Sequence, residues 1–136
     1  STLEVFGDYP DTVFVTEDYK PLPTTEPRVL AQYLAEVVCR EFARDYAFTA
    51  TALRLGKLVR EEDLAGGKPD LMWLDIRDAA SAFAQAIKRD NSDSLNWVAR
   101  WAVYHICAPV PNAKFLIGRA EGMGYAPKRD LQEGAR

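Results

Sequence analysis

Apolar residues recur at every fourth position in the segment that follows Pro27. They are Leu30, Leu34, Val38, Phe42 and Tyr46. Residues spaced by four lie on one face of an α-helix, so the pattern predicts a helix from Pro27 to Tyr46. Thr24 or Thr25 can cap this helix, and Pro27 suits its first turn.

Two other segments have the pattern of β-strands. The run from Phe48 to Leu55 is rich in apolar and β-branched residues and meets no breaker before Gly56. The segment from Trp97 to Cys107 fits both a period of two and a helical spacing, but its β-rich ending favours a strand.

Two further helices are expected. Asp78 can cap the first, whose apolar face contains Ala79, Ala80, Phe83 and Ile87 and which ends near Asp90 and Asn91. The closely spaced charges of Asp75, Arg77 and Asp78 are interpreted as a cap with a local ion pair, because charges at a helix start usually serve the helix dipole. Asn112 is expected to cap a short second helix that runs through Ala120.

Three segments are predicted to be irregular. The stretch from Asp8 to Thr25 contains three prolines among acidic residues and threonines, which is typical of a long loop. Gly66 and Gly67 indicate a flexible loop, and the polar tail from Lys128 is expected to be mobile.

Length, charge and hydropathy limit the class of protein. A chain of 136 residues with 48% hydrophobic and 27% charged content is ordinary for one globular domain, so we expect a single domain over residues 1–136. The net charge is −3 with acids and bases interspersed, which argues against a nucleic-acid or anionic-membrane partner. Because there is no long apolar run, a cytoplasmic protein is the default expectation.

The cysteines and the single histidine do not have the spacing of a metal site. Cys39 and Cys107 lie far apart in apolar segments, as buried free thiols would. His105 has no second histidine or Cys-x-x-Cys motif to complete a zinc site, so we interpret it as a core or strand-edge residue and expect no metal.

Residues 1–7 read Ser-Thr-Leu-Glu-Val-Phe-Gly. This stretch resembles the Ser/Thr-x-x-Val-Tyr-Gly strand end of the extended short-chain dehydrogenases/reductases, the NAD-dependent epimerase/dehydratase family, with Thr2 at the Ser/Thr position. The family's Tyr-x-x-x-Lys pair then falls on Arg28 and Gln32. A rival register starting at Tyr33 places Val37 at the lysine position, so neither register yields the pair.

The placement of Arg28 and Gln32 depends on ungapped matches that follow them. Ala35-Glu36, Arg40, Phe42-Ala43-Arg44 and Tyr46 stand at the family's offsets. Further matches are Leu53-Arg54-Leu55-Gly56, residues 71–78 and Gly124-Tyr125-Ala126-Pro127. The resemblance thus covers nearly the whole chain and corresponds to the second half of a family member.

The resemblance implies a catalytic site at Thr2, Arg28 and Gln32 and substrate contacts from Arg54 and Lys57. In the family the tyrosine exchanges a proton and the lysine lowers its pKa. Arginine stays protonated and glutamine does not titrate, so this chain lacks that chemistry.

The resemblance also implies a partial Rossmann-like α/β fold without the N-terminal βαβ unit, plus remnants of the small substrate domain. The Gly-x-x-Gly-x-x-Gly turn that cradles NAD belongs to that unit, so we expect no cofactor for this chain alone. A truncated or divergent epimerase/dehydratase-like protein without catalysis is one expectation, and a non-enzymatic oligomerising or ligand-binding module is the other. We expect the chain to form a homo-oligomer, with a homodimer as its simplest form, or to bind a complementary chain. The reason is that missing strands leave an unpaired sheet edge. Whether the chain is a fragment, a split half or a whole reading frame stays open.

Overall fold

The computed structural model describes residues 1–64, 68–129 and 131. Helices and strands are interspersed along the chain. They are α1 (Pro27–Asp45), β1 (Ala50–Leu55), β2 (Lys57–Val59), β3 (Trp73–Asp75), α2 (Ile76–Lys88), α3 (Trp97–Arg100), β4 (Trp101–Ile106) and α4 (Gly118–Met123). Short 3₁₀ helices span Leu3–Phe6 and Glu61–Asp63.

Both sheets of the described chain are parallel pairs. β1 lies beside β4 in a register that runs from Ala50 opposite Trp101 to Leu55 opposite Ile106. β2 follows β1 after a single residue, Gly56, and pairs with β3. Parallel strands need crossover connections, and the chain that connects β1 to its partner β4 includes α2 and α3.

The β1–β4 pair is covered on both faces. On one face, Leu53 and Ile106 pack in an apolar cluster with α2 and α4. On the other, Arg54 and His105 face α1 and the Leu3–Phe6 turn. Successive strand residues point to opposite faces, so this alternation places helices on both sides of the sheet. The predicted α/β class is confirmed.

α1 forms where the sequence predicts it but ends one residue earlier, at Asp45. Its start is capped by the Glu26 carboxylate, which accepts from the Val29 amide at 2.8 Å, rather than by a threonine. The buried guanidinium of Arg100 donates to the carbonyl oxygens of Ala43 and Arg44 at 3.0 Å each and so fixes the other end.

The apolar stripe of α1 is largely exposed. More than half of the residue surface is exposed at four of its members, which are Leu34, Val38, Phe42 and Tyr46. The face that packs inward contains Val29, Glu36 and Ala43 instead. The four-residue spacing therefore identified the helix but not the side that contacts the rest of the chain.

The strand prediction over Trp97–Cys107 is wrong for its first four residues. Trp97–Arg100 form one turn of helix, and the strand begins at Trp101. The Asn96 side chain accepts from the Val98 amide at 3.1 Å and caps this turn, a local signal that outweighs the β-rich sequence.

Two predicted helix caps are also wrong. α2 begins at Ile76, and its cap is Asp75, whose carboxylate accepts from the Arg77 amide at 2.8 Å. The geometry nevertheless agrees with the expected structural role of Asp75 and Arg77 as cap and ion pair. The Arg77 guanidinium also donates to the Asp75 carboxylate. Asn112 lies in a turn with φ 55°, and the helix that follows begins only at Gly118.

The remaining predictions have mixed outcomes. The strand predicted from Phe48 starts at Ala50. His105 and Cys107 are buried as expected, whereas Cys39 is exposed, and both thiols are free. The loop predicted at Gly66 and Gly67 and most of the tail lie outside the described residues.

Candidate ligand-binding cavity

A cavity of about 330 Å³ opens at the carboxyl end of β1. Thr2, Arg28 and Lys57, which the sequence singled out separately, all line it, beside Gly56. In α/β proteins ligands bind beyond the carboxyl ends of parallel strands, so the position is that of a ligand site. This cavity is the candidate functional site.

Thr2 is a buried residue of the cavity lining. Its backbone forms a parallel bridge with Leu55, the last residue of β1. Its Oγ1 accepts from the Glu4 amide at 3.2 Å and caps the Leu3–Phe6 turn. A hydroxyl can accept and donate at once, so the Thr2 hydrogen remains available to a ligand oxygen.

Arg28 reaches the cavity from the first turn of α1. Its Nη2 donates to Oε2 of Glu4, which also lines the cavity, and this hydrogen bond raises the pKa of Arg28. The guanidinium is therefore a permanent cation whose charge is already matched by one carboxylate. It can donate hydrogen bonds but cannot exchange a proton.

Lys57 begins β2 and also lines the cavity. Its Nζ donates to Oδ2 of Asp70 at 2.7 Å, and that hydrogen bond raises the pKa of the lysine. The wall is tight, because a Cβ added to Gly56 would lie 2.1 Å from the Met72 carbonyl oxygen. Only glycine fits there, because any side chain at this position would overlap the Met72 carbonyl oxygen.

A second cavity of about 490 Å³ shares Lys57 and Met72 with the first. Lys114 is the most buried of the charged residues that line it. Its Nζ donates to the Tyr9 carbonyl oxygen at 2.6 Å and to the Asp11 carboxylate at 3.1 Å. Sequence reasoning missed Lys114 because it belongs to no motif. Only the folding of residues 8–25 against it reveals its position.

Two expected site residues lie elsewhere. Gln32 lines a groove between α1 and α2, not the cavity that contains Thr2 and Arg28. Arg54 is buried, and its guanidinium donates twice to the Glu36 carboxylate, at 2.6 and 3.1 Å. These donors serve an internal ion pair, and the substrate contact expected of Arg54 stays a prediction.

Two other groups near the sheet that could carry proton chemistry have pKa values far from neutral. Burial and the nearby Arg54 charge lower the pKa of His105 to about 3, so its imidazole is neutral at ordinary pH. Burial raises the pKa of the Cys107 thiol to about 12. Within residues 1–64, 68–129 and 131, no group of His, Cys, Asp and Glu side chains has the arrangement of a metal site.

The two long helices present carboxylates, not free amides, at their N-termini. Glu26 accepts from the amides of Arg28 and Val29, and Asp75 accepts from that of Arg77. A dinucleotide pyrophosphate binds to such amides, and a carboxylate already there repels it. These two helix starts therefore do not fit a dinucleotide pyrophosphate.

Comparison with known proteins gives a fold and no family. No protein-family model matches the chain, and no curated protein matches it. A crystal structure of glucuronic acid dehydrogenase from Chromohalobacter salexigens is similar with a TM-score of 0.75 and 13% identity. A mutated uronate dehydrogenase is similar with a TM-score of 0.73 and 14% identity.

The alignments cover 98% of this chain but 46% and 45% of those two proteins. The chain therefore has the Rossmann-like α/β fold of part of a dehydrogenase and spans less than half the length of the proteins it resembles. In the described part of the chain, no helix is long and apolar enough to cross a membrane.

Proposed function

We propose that the chain is the substrate-side part of an NAD-dependent epimerase/dehydratase-like protein, which binds a sugar-derived ligand in the cavity of Thr2, Arg28 and Lys57 and does not catalyse its conversion. The observation that carries the proposal is the meeting of these three hydrogen-bond donors in one cavity at the carboxyl end of β1. Its volume of about 330 Å³ is at the small end of the range for ligand pockets.

The chemical class of the ligand is inferred from the three hydrogen-bond donors of the cavity. The Thr2 hydroxyl, the Arg28 guanidinium and the Lys57 ammonium suit the hydroxyls and carboxylate of a hexuronate. Glu4 and Asp70 already pair with the two cations, so a carboxylate ligand has to share them. The names of the similar structures, glucuronic acid and uronate dehydrogenase, support a uronate over an unrelated anion.

Proton transfer is what the cavity lacks. Arg28 is permanently charged, and Lys57 is held protonated by Asp70. General acid–base catalysis needs a group whose pKa lies near the working pH. We therefore propose binding without turnover, with NAD and the reacting groups belonging to a complementary part.

A nuclear magnetic resonance titration with glucuronate tests this proposal. We expect the amide signals of Thr2, Gly56 and Lys57 to shift. Thr2→Val and Lys57→Ala should each weaken binding about fivefold, the effect of losing a hydrogen bond of about 1 kcal/mol. Lys88→Ala, at an exposed lysine of α2, is the matched control and should bind as the parent does. Shifts confined to the α1–α2 groove, or none, would refute the proposal.

A non-enzymatic oligomerising module is the second candidate function. The exposed stripe of α1 favours it, and Phe42 and Tyr46 stack there with ring centroids 5.6 Å apart. Contiguous exposed apolar surface usually marks an interface. We propose that two copies pair through this helix face, as a homodimer.

Light scattering distinguishes this candidate. The parent chain should be dimeric at micromolar concentration, and Val38→Asp should make it monomeric, because a charge at the centre of an apolar interface has no partner. Lys88→Asp, on a different helix, should stay dimeric. A monomeric parent chain would end this candidate and leave the ligand proposal intact.

A further inference from the structure

Glu4 interacts with both cations of the cavity that contains Thr2, Arg28 and Lys57. Its carboxylate accepts a hydrogen bond from the Arg28 guanidinium, and its side chain lines the cavity together with both cations. The hydrogen bond from Lys57 to Asp70 is the main cause of the raised lysine pKa, and the negative charge of Glu4 adds to it. A ligand that contacts these cations therefore also meets the charge of Glu4.

The backbone fixes Glu4 in this position. Glu4 belongs to the 3₁₀ turn Leu3–Phe6, whose other three residues are fully buried. Its amide donates to Thr2 Oγ1 at 3.2 Å, and its carbonyl oxygen accepts from the Gly7 amide at 3.0 Å. The turn cannot shift without exposing its apolar side chains to water, so Arg28 is released by rotation of the Glu4 side chain.

The charges of the cavity are nearly balanced. Among the described residues that line it, Arg28 and Lys57 are cationic and Glu4 is anionic. A guanidinium pairs best with one carboxylate, so a carboxylate on the ligand competes with Glu4 for Arg28. Like charges a few ångströms apart also repel each other, more strongly where water is partly excluded. An uncharged hydroxyl meets neither obstacle.

We propose that Glu4 is the specificity-determining residue of this cavity. By holding the Arg28 guanidinium, Glu4 weakens the binding of a sugar carboxylate and leaves the binding of sugar hydroxyls unchanged. It thus sets how strongly the chain prefers an acidic sugar over its neutral counterpart. The proposal rests on the proposed function, because its ligand is the uronate proposed for the same cavity.

Asp70 is a weaker candidate for this role. Its carboxylate pairs with Lys57 and also accepts from the Met72 amide at 2.8 Å, so its charge is shared with a backbone donor. Asp70 lines the second cavity and not the one that contains Thr2 and Arg28. Its repulsion of a carboxylate in the first cavity is therefore smaller than that of Glu4.

A nuclear magnetic resonance titration with glucuronate and glucuronamide tests the proposal, because the two sugars differ by a charged and an uncharged group of nearly equal shape. Glu4→Gln removes the charge of Glu4 and keeps its volume. This variant should bind glucuronate about tenfold more tightly than the parent does, and glucuronamide within about twofold of the parent. The amide signals of Gly56 and Lys57 locate both sugars in the cavity.

Glu41→Gln is the matched control. Glu41 pairs with Arg44 at 2.8 Å as Glu4 pairs with Arg28, so both substitutions remove one charge and one ion pair with an arginine. At the helical rise of about 1.5 Å per residue, Glu41 lies about 20 Å from Arg28 along α1. Glu41→Gln should therefore bind both sugars as the parent does.

A second substitution tests whether Arg28 is the group that Glu4 withholds from the ligand. Arg28→Gln in the Glu4→Gln protein should abolish the gain, so that glucuronate and glucuronamide bind about equally. A gain that survived without Arg28 would overturn the proposal. Both side chains are partly exposed, so the variants should keep the fold, and thermal melts check this.

The other outcomes of the titration also decide the role of Glu4. Equal tightening of both sugars, or no tightening of glucuronate, would contradict the proposal. Weaker binding of both sugars would also overturn it, because Glu4 would then accept their hydroxyls. If the parent bound neither sugar but Glu4→Gln bound glucuronate at Gly56 and Lys57, the role of Glu4 would stand and the proposed function would fail. If none of these proteins bound glucuronate, both would fail.

Discussion

The guanidinium of Arg54 and the carboxylate of Glu36 form a two-point ion pair between β1 and α1, with side chains only 5% and 6% exposed. A planar guanidinium matches a carboxylate in this geometry and neutralises it away from water. The pair therefore ties the helix to the sheet.

Glu36→Ala should lower the free energy of unfolding by about 3–5 kcal/mol, because it leaves the Arg54 charge buried without its partner. Urea denaturation measures the change. The double variant Glu36→Leu with Arg54→Met, which removes both charges, should recover much of the loss. A Glu36→Ala protein as stable as the parent would show that the pair is not buried.

The stability of the chain should fall as the pH is lowered from 6.5 towards 5. His105 is the only histidine, and its pKa is lowered from 6.5 to about 3 in the folded state, chiefly by burial. The stability that neutral His105 allows is complete above pH 6.5 and is lost on acidification, because the unfolded state takes up the proton first. The free energy of unfolding then falls by up to about 1.4 kcal/mol per pH unit.

His105→Gln should flatten this dependence between pH 6.5 and 5, whatever its effect on absolute stability. Thermal melts of both proteins at several pH values measure the two slopes. An equal slope in the variant would mean that His105 is not held neutral by the fold.

The segment after α4 should be held to the domain by Asp78. This buried carboxylate accepts from the backbone amides of Lys128 and Arg129 at 3.1 Å each. Asp78→Asn keeps the volume but replaces one acceptor oxygen with a donor, so trypsin should cleave after Lys128 several-fold faster. Asp93→Asn, at an exposed aspartate, is the control and should be cleaved at the parent rate.

Restoring the family's catalytic pair should not create an enzyme. In Arg28→Tyr with Gln32→Lys, the tyrosine would face the Thr2 cavity, but position 32 lines the α1–α2 groove. Assays with uronates and sugar nucleotides in the presence of NAD should show no epimerase, dehydratase or reductase turnover, in the parent or in the variant. An active double variant would show that only the changed pair prevents catalysis.

Local signals in the sequence predicted much of the fold. The helix after Pro27 and the strand up to Leu55 have strong periodicity and clear ends, and both are observed. The errors lie where two local signals compete. Asp75 and Asp78 are both possible caps, and the Asn96 cap prevails over the β-rich residues that follow it.

The grouping of the candidate site residues could be predicted only in part. Sequence spacing does not report which side of a sheet a residue faces. Thr2, Arg28 and Lys57 meet in one cavity, whereas the resemblance grouped Thr2 and Arg28 with Gln32 and gave Lys57 a separate substrate contact. Arg54 turns to Glu36 because even-numbered residues of β1 face α1. Lys114 could not be found, because its partners Tyr9 and Asp11 lie more than a hundred residues away.

The central proposal is that residues 1–64, 68–129 and 131 form the ligand side of the fold without a seat for the dinucleotide. Calorimetric titration with NAD tests it most directly, because a ligand stabilises a protein only by binding its native state. We expect no binding heat and no rise in melting temperature at millimolar NAD, since carboxylates occupy the N-termini of α1 and α2. Binding at micromolar NAD would contradict the claim and reveal a phosphate site elsewhere in the chain.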